Sequence, residues 1–321
     1  MVRFEPLNVA QVSLMKAIPV VLLFLFAWTI RAEVPQTRLK IHLEPARILP
    51  MAKESLISDL YRKDDQIYAV GERGHILNGS SVENMTQNSS PANQFLTAIA
   101  GDGHNRLWAV GHDSIILAST NFGKSWSVHH VKIDPGDPLF DIIYLGGDEL
   151  VAVGAYGLFL KSVDGGVHWK KISVDMEEPH FYQVKASGDH LYLCGEFGKV
   201  LKVSRNGEFL EQYDSGTEAS FFGMEVIQED EWIAYGLRGR IFHFKDGESQ
   251  RLETGTQATL FNSMQFGGKV YFTGADGTVL SFDGKLVKNL SLKERIHVTD
   301  ALPFGPYWLL STSKGFRKTR F

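Results

Sequence analysis

The chain has 321 residues, 44% hydrophobic, 12% aromatic and 22% charged, a balance that excludes a mini-protein or a disordered chain and provides for a sizeable core. Lys and Arg number 33 against 37 Asp and Glu, a net charge of −4, and no basic run offers the electrostatic footprint of a nucleic-acid binder. The 31 glycines against 11 prolines, set among many β-branched and aromatic residues, point to tight turns between short strands and an all-β fold.

In chain order, the first feature is Ala17 to Ile30, an uncharged apolar stretch preceded by Lys16 and followed by Arg31 and Ala32. It is shorter than the roughly 20 residues of a spanning helix and has the form of a secretory signal with cleavage after Ala32, or of an uncleaved N-terminal anchor. Residues 1–32 hold Arg3, Lys16 and Arg31 against Glu5, so their removal would leave a net charge of −6. Residues 33–50 form a lead-in that contains the alternating stretch Thr37 to Leu43. The lone cysteine, Cys194, lies in an apolar run, which excludes an intrachain disulfide and reads as a small buried hydrophobe.

Residues 51–321 are organised by an internal repeat. An apolar strand ends in Gly, two variable residues follow, then a small residue and a second apolar strand. Copies occur at Gly71, Gly111, Gly154, Gly195, Gly236 and Gly274, with a seventh that places Thr312 where Gly stood, at spacings of 38 to 43 residues. That is the length of a four-stranded propeller blade. Within Phe140 to Val174, four strands alternate apolar and polar residues with period two and are punctuated by Gly and Asp. The expected architecture is a seven-bladed β-propeller. The last unit ends after three strands, and Thr37 to Leu43 is the expected fourth, closing the ring so that no long edge is left open.

Two units carry a stricter hairpin. Ser162, Asp164, Gly166 and Trp169 stand in S-x-D-G-G-x-x-W, and Ser119, Asn121, Gly123 and Trp126 repeat the pattern. This resembles the Asp-box, whose Asp or Asn bonds the turn backbone, whose Gly takes a positive φ and whose Trp packs the turn onto the blade. Its role is structural. Repeats of this form behind an export signal resemble the photosystem II stability/assembly factor family of seven-bladed propellers, over essentially residues 37–321. The resemblance implies a non-enzymatic factor, exported to the periplasm or thylakoid lumen, that binds newly made membrane-protein subunits.

The turns between second and third strands share one face with the segments leading into each blade, the face where propellers commonly hold ligands. Arg73, Arg238, Arg240 and Lys314 are the candidate partner-binding cations there, joined by Phe95, Phe140, Phe181, Phe221 and Phe261 from the lead-in segments. Arg forks suit carboxylates and carbonyls, and aromatics give contact area at low entropy cost. The expected partner is a polypeptide, a membrane-complex subunit, with the propeller a monomer that touches membrane through this partner or an uncleaved N-terminus. No cofactor or metal is expected: the adjacent His129 and His130 face opposite sides of a strand, and Gly-x-Ser-x-Gly, His-Glu-x-x-His and phosphate-loop motifs are missing from the sequence. Asp-box propellers also include sialidases, which leaves a glycan-binding or glycan-cleaving alternative. Its only echo is Arg47-Ile48-Leu49-Pro50, which departs from the sialidase Arg-Ile-Pro element by an inserted Leu. A third reading is an envelope scaffold of a transport complex.

Overall fold

A computed structural model describes residues 43–129, 136–174, 179–228 and 230–321. Residues 1–32, expected to be an export signal or anchor, residues 37–42 of the expected closing strand and His130 lie outside them.

Blade one comprises strands Ile57–Lys63, Gln66–Gly71, Ile76–Gly79 and Thr86–Asn88, and blade two Leu96–Gly101, Leu107–Gly111, Ile116–Ser119 and Ser127–Val128. Blade three follows with Leu139–Gly146, Glu149–Gly154, Phe159–Ser162 and Lys170–Lys171, then blade four with Phe181–Ser187, His190–Gly195, Lys199–Ser204 and Phe209–Asp214. Blade five holds Phe221–Gln228, Glu231–Gly236, Ile241–Lys245 and Glu248–Leu252. Blade six holds Leu260–Phe266, Lys269–Gly274, Val279–Phe282 and Val287–Asn289, and blade seven Val298–Phe304, Tyr307–Thr312 and Gly315–Thr319. Each blade is an antiparallel sheet in sequence order, four-stranded in six and with three described strands in the last. The fold is the seven-bladed propeller that the repeat spacing predicts.

The first strands ring the axis. Hydrogen bonds pass between them from blade to blade: Thr97 Oγ1 donates to Leu139 O at 2.8 Å, Val184 N to Asp141 Oδ2 at 2.9 Å and Met224 N to Gln183 Oε1 at 2.8 Å. Between blades, apolar side chains interlock in separate clusters, such as Trp108, Val110, Leu139, Ile142, Leu150 and Leu160 between blades two and three. Full burial of one such Leu or Ile contributes about 1.5–3 kcal/mol.

Blade seven meets blade one by the same means. Leu60 N donates to Asp300 Oδ2 at 3.1 Å, Thr299 Oγ1 to Ile57 O at 2.5 Å and Gly315 N to Ser55 O at 2.9 Å. Leu309 and Phe316 pack with Ile57, Leu60 and Ile67. Leu43, the last residue of the expected closing strand, packs against the cluster shared by blades one and two. From there the lead-in crosses the outer strand of blade one, where Gln87 Nε2 donates to Arg47 O at 2.9 Å and Leu49 N to Gln87 Oε1 at 2.8 Å.

The S-x-D-G-G-x-x-W hairpin is held as its residues require. Gly166 N donates to Ser162 Oγ at 2.9 Å, His168 N to Asp164 Oδ1 at 2.9 Å and Trp169 Nε1 to Gly166 O at 3.0 Å. Ser119, Asn121, Gly123 and Trp126 repeat these bonds at 2.9, 3.0 and 3.0 Å. Each hairpin also takes a bond from the preceding blade: Trp108 Nε1 donates to Gly165 O at 3.0 Å and Asn88 Nδ2 to Gly123 O at 2.8 Å. Hydrogen bonds from the His168 backbone N–H, the His168 ring and the Ser162 hydroxyl drop the Asp164 carboxyl to about 2, and these bonds give it a structural task.

The turns between second and third strands are equally constrained. At Gly71-Glu72-Arg73-Gly74, Arg73 and Gly74 take φ of 57° and 67°, and a Cβ on Gly74 would lie 2.0 Å from Ala92 O. Gly74→Ala therefore combines a disfavoured conformation with a clash against backbone, and it should cost well over the roughly 1 kcal/mol of conformational strain alone. Gly268→Ala, at φ 73° with open space around its Cβ, isolates the strain. Urea denaturation of both variants checks the order, and equal midpoints would refute the clash.

Candidate binding face and channel mouth

Every first strand except its start obeys period two, and the exception builds the site. In blade one Ile57 pairs Gly71 but Asp59 pairs Val70, leaving Ser58 as an extra residue. The same one-residue bulge recurs in the other six blades, where bulges commonly re-aim a side chain. The extra residues are Ser58, Thr97, Phe140, Tyr182, Phe222, Phe261 and Thr299, and each turns toward the axis instead of into the blade.

Around the axis at this end, the upper face, lies an open cavity of about 420 Å³. Its wall takes one large side chain from each blade: Leu56, Phe95, Phe140, Tyr182, Phe222, Phe261 and His297. The rings touch one another. Tyr182 meets Phe140 at 5.3 Å and Phe222 at 4.9 Å, edge-on in the second case. Tyr156 meets His180 at 4.8 Å, Phe261 meets His297 at 6.0 Å and Phe95 meets His112 at 5.2 Å. Below the collar the wall is polar, with Ser58, Asp59, Thr97, Asp141, Gln183, Asn262 and Thr299.

The carboxylates there lean on neighbouring backbones. Asp59 Oδ2 accepts from Ile99 N at 2.8 Å, while Asp141 accepts from Ile142 N at 2.8 Å and Val184 N at 2.9 Å. Asp300, 5% exposed, lies behind Asp59 at the meeting of blades seven and one. Burial raises both members of that pair; the Asp59 charge and their direct hydrogen bond raise Asp300 further, while that bond lowers Asp59 against the raising charge of Asp141. Burial likewise lifts Asp141 to about 6, against the lowering by the Val184 N–H and the Lys185 charge.

Of the aromatics expected from sequence, Phe95, Phe140 and Phe261 line the mouth. Phe181 and Phe221 do not: they are 1% and 0% exposed and belong to the inter-blade cores. They occupy the first strand position, which pairs with Gly195 and Gly236, and the bulge hands the mouth to the next residues, Tyr182 and Phe222.

The expected cations do not converge. Arg73 and Arg238 are exposed at turn tips, each with φ near 60°. Arg73 borders a crevice with Arg47, His75 and Asn93, and Lys314 borders another with Lys53, Glu54 and Arg317. Arg240 is turned aside, its Nη1 donating to Thr217 Oγ1 at 2.5 Å. All four belong to the upper face, because each turn is clamped to the residue leading into its blade, as when Leu237 N donates to Ser220 O at 3.1 Å and Ser313 N to His297 O at 2.9 Å. Among the described residues no Arg or Lys lines the mouth, so they form there no arginine triad over several acids of the kind that sialidase chemistry needs. Cys194 is buried and burial pushes its thiol up, which leaves it the small hydrophobe read from sequence.

The chain matches no protein-family model and no curated protein. Solved propellers are similar. YCF48 bound to D1 peptide has a TM-score of 0.68 at 16% identity, covering 87% of this chain and 96% of that one. YCF48 from Cyanidioschyzon merolae has a TM-score of 0.69 at 16% identity, covering 86% and 98%. The WD40 β-propeller domain of Doa1 has a TM-score of 0.69 at 11% identity, covering 86% and 95%. At these identities the likeness is one of fold.

A carboxyl raised from 3.8 to about 6 makes a pH prediction for Asp141. Between those values the folded chain keeps a proton that the unfolded chain has lost, so the group's stabilising contribution is full below pH 3.8 and is lost as pH rises through 6. His75, whose pKa burial lowers, acts in the opposite sense but equally in wild type and Asp141→Asn. The stability of wild type minus that of Asp141→Asn, from urea midpoints, should fall from pH 4 to 7 and then level. A difference that rises over that range would overturn the assignment.

Proposed function

We propose that the protein is a non-catalytic, exported propeller that binds a polypeptide on its upper face and assists assembly or stability of a membrane protein complex. The observation that carries this is the aromatic collar, in which five blades each place a ring at the mouth on one face. Exposed Tyr156 and Phe197, 55% and 57% accessible, extend it outward at two turn tips. Rigid aromatic area of this kind is what peptide contacts draw on. Arg73, Arg238 and Lys314, at the tips around the collar, supply contacts to acidic or carbonyl groups of the same partner. A similar propeller, YCF48, has been solved bound to D1 peptide, and this supports a polypeptide ligand on the fold. Residues 1–32 would deliver the propeller to the periplasm, or to the thylakoid lumen in a photosynthetic host, where such a subunit is within reach.

A photo-crosslinking residue placed at Tyr156 should capture a defined integral-membrane subunit from the protein's own membranes. The same residue at Val163, 65% exposed in the hairpin of blade three at the other end of the ring, should not. Replacing Arg73, Arg238, Arg240 and Lys314 together by Ala should reduce the Tyr156 product severalfold. Equal capture at both positions, or none at Tyr156, would sink the upper-face reading.

A further inference from the structure

The mouth combines two features that rarely meet without a reason. Its collar presents the rings of Phe95, Phe140, Tyr182, Phe222 and Phe261 around an opening, and directly below them Asp59 and Asp141 sit on the wall. Among the described residues no lysine or arginine lines the space, so none of them sets a cation against these carboxylates at the mouth. Lys185, whose charge reaches Asp141, pairs instead with Glu225 at 4.0 Å. We infer that the channel mouth is a pocket for a cationic side chain, a Lys or Arg of the bound polypeptide, inserted through the aromatic collar toward Asp59 and Asp141.

The chemistry selects this occupant over others. A ring face attracts a cation, with an interaction of the kind that grows as the cation is desolvated, and the collar offers several faces at once. A long Lys or Arg stem is apolar along its length and charged only at its head, which matches a mouth that is aromatic above and carboxylate below. An acidic side chain would meet two carboxylates, and a purely apolar one would cover them without replacing their water. About 420 Å³ accommodates one such side chain with water and not a folded element. The inference rests on the polypeptide reading above and names the residue that reading requires at the centre.

Binding is linked to protons. Asp141 and the Asp59 and Asp300 pair hold protons above the usual carboxylate range, and an arriving ammonium or guanidinium favours their ionised forms. The other titratable groups around the site are His112 in the turn of blade two, Tyr156 at the tip of blade three, His180, Tyr182, Lys185, Cys194 and Glu196 of blade four, Glu225 of blade five and His297 of blade seven. Affinity should therefore rise as pH increases from 5 to 7.

The test is selection of a displayed library of random linear peptides on the purified full chain at neutral pH, followed by titration of one selected peptide. Enrichment of Lys or Arg at one position is expected. Replacing that residue by norleucine in the peptide, or Asp141 by Asn in the protein, should each weaken binding at least tenfold, and the two changes together should cost little more than either alone. The norleucine peptide keeps the test valid if a protein variant folds poorly. Selected peptides without a basic residue in common, or affinity within twofold for the norleucine peptide, would overturn the pocket while leaving polypeptide binding intact. Retention of no peptide would overturn both.

Discussion

One extra residue near the start of each inner strand sets the character of this molecule. Without it, period-two alternation would send every second side chain of that strand into the blade and the rest toward the axis, and the strand would run straight through the ring. With it, the residue after the bulge points sideways, and in several blades it reaches the next inner strand. Asp59 takes the N–H of Ile99, Asp141 that of Val184, Gln183 that of Met224 and Asp300 that of Leu60. The inner strands thereby satisfy backbone donors that no ladder within their own blade provides. The ring is joined at its narrowest circle by side chains rather than by continuous sheet.

The same irregularity makes the mouth. The extra residue has no strand partner, so its side chain is released from blade packing and faces the axis. In four blades it is aromatic, and that choice turns a structural necessity into a collar. Burying carboxylates beneath it is costly unless they are hydrogen-bonded or protonated, and here both devices operate. Asp141 accepts two backbone donors, while Asp59 and Asp300 hold protons above their ordinary range. Structural bonds between blades and the polar lining of the mouth come from one set of residues.

The fold was legible because its unit is short, repeated and punctuated by Gly at regular distances, and because Ser162, Asp164, Gly166 and Trp169 encode a hairpin whose bonds are all local. The mouth was legible only in part. Phe140 and Phe261 followed a Leu, whereas Phe181 and Phe221 themselves occupied the slot of that Leu, and counting from the repeat Gly cannot separate the two because the first hairpin varies by a residue between blades. A signal existed: the inner strands bury their first and fourth residues, as in Ile57 and Leu60, Leu139 and Ile142, or Phe181 and Val184. Apolar residues three apart in a strand betray a bulge, and the residue after the first of them is the one that faces the axis. The dispersal of Arg73, Arg238, Arg240 and Lys314 was hidden for a different reason. Shared turn positions put residues on one face, but each turn joins the second and third strands, outside the circle of first strands that forms the mouth.

Those turn tips have one further consequence. Arg73, Asp113, Tyr156, Phe197, Arg238 and Asp276 all adopt φ between 52° and 59°, although their side chains range over guanidinium, carboxylate and aromatic ring. The backbone at each tip is dictated by its clamp to the adjoining lead-in and by the small residue that follows, and in blade two that residue is Ser114, whose Oγ donates to Asp137 O at 2.7 Å. Identity at the tip is thus set by no side-chain contact that the turn requires, only by tolerance of a positive φ, which disfavours β-branched residues. Within that limit the rim can be rewritten one letter at a time, trading a guanidinium for a ring or a carboxylate, while the clamped backbone beneath keeps its course.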